Sequence, residues 1–130
     1  MIIAFLSGCD YIHASKVMVG NNMFICTQGP LAATAAHFWA MVIQENVKLI
    51  VMLCRLIEDG KEKTFEYLPK TTGGKKIIGD FSIVCTLRTA LPELDAVSHS
   101  ILKVTYKGKT ETHGDNVENT KRSKNACHTE

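Results

Sequence analysis

Apolar and polar positions repeat along this chain in two different periods, and the change from one to the other marks out its elements. Tyr11 to Val19 and Met23 to Thr27 read as short strands on either side of Gly20-Asn21-Asn22, a run of turn formers, and so predict a hairpin. Pro30 closes that strand territory. From there the period lengthens: Ala35, Phe38, Trp39, Val42 and Ile43 recur at i, i+3, i+4, i+7 and i+8, one stripe of a helix that ends near Asn46. Thr34 is the predicted N-cap, its hydroxyl accepting one of the orphan N–H groups of the first turn. Phe38 and Trp39 anchor the helix, since burying a large apolar side chain stabilises by about 1.5–3 kcal/mol.

Lys48 to Cys54 is a continuous apolar run too short for a helix and rich in Ile and Val, which predicts a strand covered on both faces. Asp59-Gly60 is a turn signal between Arg55-Leu56-Ile57-Glu58 and Lys61 to Tyr67. Thr71-Thr72-Gly73-Gly74 reads as a linker; the following Lys75-Lys76 does not make it a nucleotide loop, which needs an earlier glycine and a Ser or Thr after the lysine. Phe81, Ile83 and Cys85, and later Leu102, Val104 and Tyr106, alternate with other residues as strands do. Lys107-Gly108-Lys109 is a tight turn into Thr110-Glu111-Thr112. The fold class expected is α/β (α+β), a mixed twisted sheet with a flanking helix. From His113 to Glu130 only Val117, Ala126 and Cys127 are apolar, so residues 1–113 are expected to form the domain and 114–130 a polar, disordered tail.

Composition narrows the chemistry. The 130 residues, 45% hydrophobic, fit one globular domain. A net charge of +2 with no basic stripe argues against nucleic acid. Five cysteines, none in a Cys-x-x-Cys pair, suggest neither zinc nor a disulfide framework; Cys26, Cys54 and Cys85 in apolar runs read as free thiols in a reducing, cytoplasmic setting. The apolar start, Met1 to Leu6, lacks the basic flank and length of a secretory signal and reads as a buried edge strand or as a start site that truncates one, and no run reaches a membrane span. Histidines 13, 37, 99, 113 and 128 show no metal-ligand spacing, Ser7 and Ser15 lie in no nucleophile elbow, and no cofactor is implied. Cys127-His128 sits in the expected tail, where nothing preorganises a site.

Three signatures occur in order: Asp10-Tyr11-Ile12-His13-Ala14-Ser15, then Phe24-Ile25-Cys26-Thr27-Gln28-Gly29-Pro30, then Phe38-Trp39-Ala40-Met41-Val42. In these the chain resembles the N-terminal half of a protein tyrosine phosphatase domain, densely from Asp10 to Pro69 and more loosely from Gly79 to Thr112. His13 stands where the family has Asn, and Leu68 where it has Trp. The resemblance implies hydrolysis of phosphotyrosine by a cysteine six positions before a phosphate-binding arginine. Six residues after Cys9, Cys26, Cys54 and Cys85 stand Ser15, Ala32, Gly60 and Leu91, and Cys127 is too near the end to have such a partner.

Residues Ile101 to His113 resemble the strand pair leading into the family's Trp-Pro-Asp loop, which carries the general acid, but the likeness fades at Gly114-Asp115. The loop with the substrate-stacking tyrosine would precede Asp10. Two positions match functional ones: Glu58 the glutamate that pairs with the phosphate-binding arginine, and Lys63 the lysine that reaches toward the catalytic aspartate. Without those partners both read as exposed hairpin charges. The chain is thus expected to be a truncated, inactive phosphatase-like domain, with no catalytic, substrate-binding or metal residue of its own. Its expected partners are phosphotyrosine-signalling proteins and, through uncovered sheet at Leu49 to Cys54 or Phe81 to Cys85, further copies of itself. The alternatives are a noncatalytic interaction module and a gene-model or splice fragment.

Overall fold

Eleven strands and one helix follow in order through the computed structural model, which describes residues 2–6, 9–90, 98–106 and 115–121, with side chains over 11–90 and 98–106. Strands β1 (Ile2–Leu6) and β2 (Cys9–Tyr11) pair antiparallel. The strand expected from Tyr11 to Val19 is broken at Ile12 and His13, and β3 (Ala14–Val19) begins beyond them. β3 pairs with β4 (Asn22–Thr27) from Ala14 opposite Thr27 to Val19 opposite Asn22, the predicted hairpin. Gly20 takes a φ of 59° at the first turn position, the left-handed conformation that a two-residue hairpin turn demands and glycine adopts without strain.

Helix α1 (Ala35–Gln44) forms where the long period predicts it. Its buried surface is wider than one stripe, because Ala40 and Met41 are buried along with Ala35, Phe38, Trp39 and Val42. The Thr34 cap differs from expectation. With φ −111° and ψ 0° the residue lies outside the extended region a capping side chain needs, and its Oγ1 turns back to accept from the Leu31 N–H at 3.0 Å. The other end closes as a Schellman motif: Asn46 takes a φ of 52°, its N–H donates to Ile43 O, and the Val47 N–H donates to Val42 O at 2.9 Å.

After β5 (Leu49–Met52) come the paired β6 (Ile57–Glu58) and β7 (Lys61–Glu62), then β8 (Lys75–Ile78), β9 (Phe81–Ala90), β10 (Ser98–Tyr106) and β11 (Asp115–Lys121). A five-stranded mixed sheet runs β5-β11-β10-β9-β8, parallel between β5 and β11 and antiparallel elsewhere. Cys85 stands opposite Leu102, Ile83 opposite Val104 and Phe81 opposite Tyr106, and the first five of these six are at most 1% exposed. They join Ile50, Met52 and the buried face of α1 in one core.

Four expectations need correction here. β5 is not covered on both faces: Ile50 and Met52 are buried in the core, while Leu49 and Val51 are about half exposed, in line with the uncovered sheet expected at Leu49 to Cys54. The strand face at Phe81 to Cys85, expected to be partly uncovered, is buried at Phe81, Ile83 and Cys85. Residues 71–74 are not a free linker, because Gly73 N–H donates to Cys85 O at 2.7 Å and Cys85 N–H donates to Gly74 O at 2.9 Å. The polar stretch beyond residue 113 is not wholly a tail, since Asp115–Lys121 pair on both edges within the sheet. A ladder is made by backbone groups, which hydrophobic content does not report. The turn expected at Lys107-Gly108-Lys109 lies outside the described residues.

Candidate functional site

The two family-matched charges sit on one small excursion of the chain, the β6–β7 hairpin. Asp59 and Gly60 take φ values of 51° and 73°, the pair of left-handed residues that a type I′ turn requires. Glu58, just before the turn, is half-buried rather than exposed as expected, and its Oε1 accepts from the Arg55 N–H at 3.2 Å. The carboxylate is thereby engaged with its own hairpin. Lys63 is exposed, and its N–H donates to Leu56 O at 2.8 Å, tying the far side of the hairpin down. No ion pair joins Glu58 to Lys63 among the described residues.

Next to Lys63 lies a residue the sequence did not single out. Thr64 is 1% exposed, and its Oγ1 lies 3.2 Å from Pro30 O and 3.3 Å from Phe65 O, one proton shared between two carbonyls. The Phe65 N–H donates to the same Pro30 O at 2.7 Å. Gly29 packs so closely that a Cβ there would stand 2.5 Å from Thr64 Cβ. The Gln28-Gly29-Pro30 signature is therefore clamped against the segment that carries Lys63. No local pattern announces this, because the two partners are far apart in sequence and each looks unremarkable alone.

Gly29, Pro30 and Thr64 of the clamp also line a groove of about 620 Å³, together with residues 24–28, residues 49–54 and Phe38, Met41 and Val42 of α1. Tyr67 also lines it, buried against Phe38 at 4.9 Å and Trp39 at 6.0 Å between ring centroids. Burial, and secondarily the neighbouring Cys54, push its phenol above the ordinary tyrosine value, so it is a neutral hydrogen-bonding group here. Cys26 and Cys54 line the groove; Cys26 is exposed although it lies in an apolar run, whereas Cys85 is buried as a small hydrophobe. His13 is exposed, its carbonyl accepting from Thr27 Oγ1 at 3.0 Å, and Leu68 packs half-buried on the core, so both departures from the signatures are accommodated. Among the described residues no three His, Cys, Asp or Glu side chains converge as metal ligands do.

Comparison with known proteins gives the same picture. The family model described as protein-tyrosine phosphatase matches residues 3–125. Tyrosine phosphatase-like protein J1 of Microplitis demolitor bracovirus is 52% identical over 61 residues, 45% of this chain and 20% of that protein. Tyrosine-protein phosphatase 1 of Dictyostelium discoideum is 34% identical over 113 residues, 79% of this chain and 22% of that protein. Phosphatidylinositol phosphatase PTPRQ of Rattus norvegicus is 37% identical over 112 residues, 85% of this chain and 4% of that protein. The chain thus spans less than a quarter of the length of each of these three relatives.

Proposed function

The chain belongs to the protein-tyrosine phosphatase family, and from that premise we propose that these 130 residues form a noncatalytic member, a module that binds proteins and does not cleave phosphate esters. One observation carries the reading: none of the five cysteines stands six positions before an arginine. Cleavage in this chemistry needs a thiolate held against a phosphate whose charge is met by fixed donors. The family-matched charges give no substitute, since the Glu58 carboxylate is turned to a backbone N–H and Lys63 is exposed. The partners proposed are proteins of phosphotyrosine signalling, in keeping with the names of the relatives. A cytoplasmic setting is supported by the free thiols of Cys26, Cys54 and Cys85. No helix among the described residues is long and apolar enough to cross a membrane.

The test is direct. Purified chain, offered a phosphotyrosine peptide and, in view of the rat relative's name, a phosphoinositide, is expected to show no turnover above buffer. Turnover that survives repurification and disappears on Cys→Ser exchange at one position would overturn the reading. A second reading is favoured by the small share of each relative that the chain spans: the same residues serve as the scaffold of a longer, active phosphatase. Genomic DNA beyond the codon for Glu130, read for a Cys-x5-Arg segment, decides between the two.

A further inference from the structure

Among the described residues, one half-buried cation of the sheet lacks an anion. Arg88, on β9, donates from its guanidinium to the Ser98 hydroxyl at 3.2 Å, and no described carboxylate lies within ion-pair reach of it. A guanidinium fork matches two oxygens of one anion, and a single neutral hydroxyl uses little of it. A hydroxyl that can become such an anion stands against the backbone of the same residue. The Arg88 N–H donates to Thr72 Oγ1 at 3.0 Å. Thr72 is exposed, and among the described residues its own hydroxyl proton goes to no acceptor.

We propose that Thr72 is a phosphorylation site, modified by a protein kinase that selects basic sequences, and that its phosphate is held by the backbone N–H and the guanidinium of Arg88. In the transfer, Thr72 Oγ1 bonds to the γ-phosphorus of a nucleoside triphosphate and the bond from that phosphorus to its bridging oxygen breaks. The nucleoside diphosphate leaves, and the hydroxyl proton passes to the carboxylate base of the kinase. The flanks of Thr72 suit such an enzyme. Lys70 stands two positions before it, and Lys75 and Lys76 three and four after, charges that an acidic substrate groove attracts. Thr71 shares those flanks, but its carbonyl accepts from the Gly74 N–H at 3.0 Å within the loop, and none of its described hydrogen bonds reaches β9. A phosphate on Thr71 would have no such anchor.

The receiving site is already seated. Gly73 N–H donates to Cys85 O at 2.7 Å and Cys85 N–H donates to Gly74 O at 2.9 Å, so Thr72 is held beside Arg88 before any phosphate arrives. Only the guanidinium has to move, from the Ser98 hydroxyl to the new anion, and preorganisation of that kind lowers the cost of the contact. The other cations differ in what they can add. Lys70 and Lys76 are shared by Glu66, at 2.9 and 3.3 Å, whereas Lys75 is exposed with no anionic partner among the described residues. The phosphate therefore locks residues 71–74 onto β9, at the edge of the sheet where β8 is the terminal strand.

The test uses the whole chain in two arms. In the first, the chain is incubated with ATP and a panel of basophilic kinases; tandem mass spectrometry is expected to place phosphate on Thr72, and Thr72→Val should lose the label. In the second, phosphothreonine is encoded at position 72 and followed by phosphorus NMR. Its second ionisation, at about pH 6 when unperturbed, is expected at lower pH, because the Arg88 cation favours the dianion. Arg88→Gln should return it to about pH 6. The modified chain should melt about 2–5 °C above the unmodified one, a gain that Arg88→Gln removes and high salt reduces. Label confined to Thr71 or to other residues, or no label from any kinase of the panel, would overturn the proposal. So would a phosphate at position 72 that ionises alike in the parent and in Arg88→Gln.

Discussion

Between Gly29 and Thr64 the margin is a single methyl group. A Cβ at Gly29 would stand 2.5 Å from Thr64 Cβ and 2.6 Å from Oγ1, and the obstruction is a buried, β-branched side chain with no free rotamer to retreat to. Overpacking costs about 1–3 kcal/mol, so Gly29→Ala is expected to lower the melting temperature by about 5 °C. Thr64→Gly in the same chain should recover part of that loss, a coupling read from a double-mutant cycle by calorimetry. If the single and double changes simply add, the clamp is not where the strain lies. Glu45 and Lys16, 2.6 Å apart, give a second test. The hydrogen bond from Lys16 holds the Glu45 carboxyl below its ordinary value of 4.5, against a smaller opposing effect of burial. A depressed carboxyl stabilises the fold above the unfolded value, and the contribution is lost as pH falls through the folded one. Glu45→Gln should therefore melt below the parent at pH 7, and the difference should shrink as pH falls through the depressed folded value of the Glu45 carboxyl.

The helix depends on its aromatic residues. Trp39 is fully buried in an edge-on contact with Phe38, ring centroids 5.5 Å apart at 83°, and it joins the same core as Ile50 and Met52. Trp39→Ala is expected to cost about 3–5 kcal/mol, enough to unfold a marginal domain; soluble protein with unchanged melting would show the ring to be dispensable. This helix was legible in the sequence because its apolar spacing is strong and local, and so were the hairpins at Gly20 and at Asp59-Gly60, where turn chemistry is explicit. Less legible was anything decided by distant partners. The run holding Leu49 and Val51 is apolar throughout, so its composition does not tell which face is covered; that depends on elements distant in sequence. The clamp at Thr64 and the groove depend on segments that meet across the fold, and the seat of Asp115–Lys121 in the sheet depends on backbone pairing that side-chain composition does not encode.

Viewed as a whole, the molecule keeps apolar surface outside its core, above all on the β3–β4 hairpin, where Val17, Met18, Val19, Met23 and Phe24 are all exposed. A two-stranded ribbon with such surface invites association. Sedimentation at tens of micromolar is expected to show concentration-dependent association, and the pair Met18→Lys with Met23→Glu should reduce it. Those two residues stand opposite one another, so the new charges attract and the ribbon is kept. A compact monomer at those concentrations would count against this. The sheet carries a different consequence, one of timing. β11 is the last of the eleven described strands in chain order yet sits second in the sheet, and β5 has its only described sheet partner there, Leu49 opposite Glu118. A ribosome adds about 5–20 residues per second, so α1 and β5 emerge several seconds before the strand that ties them to β10. During that interval β5 lacks its sheet partner, and the nascent chain offers a holdase chaperone an unpaired apolar strand at Leu49–Met52.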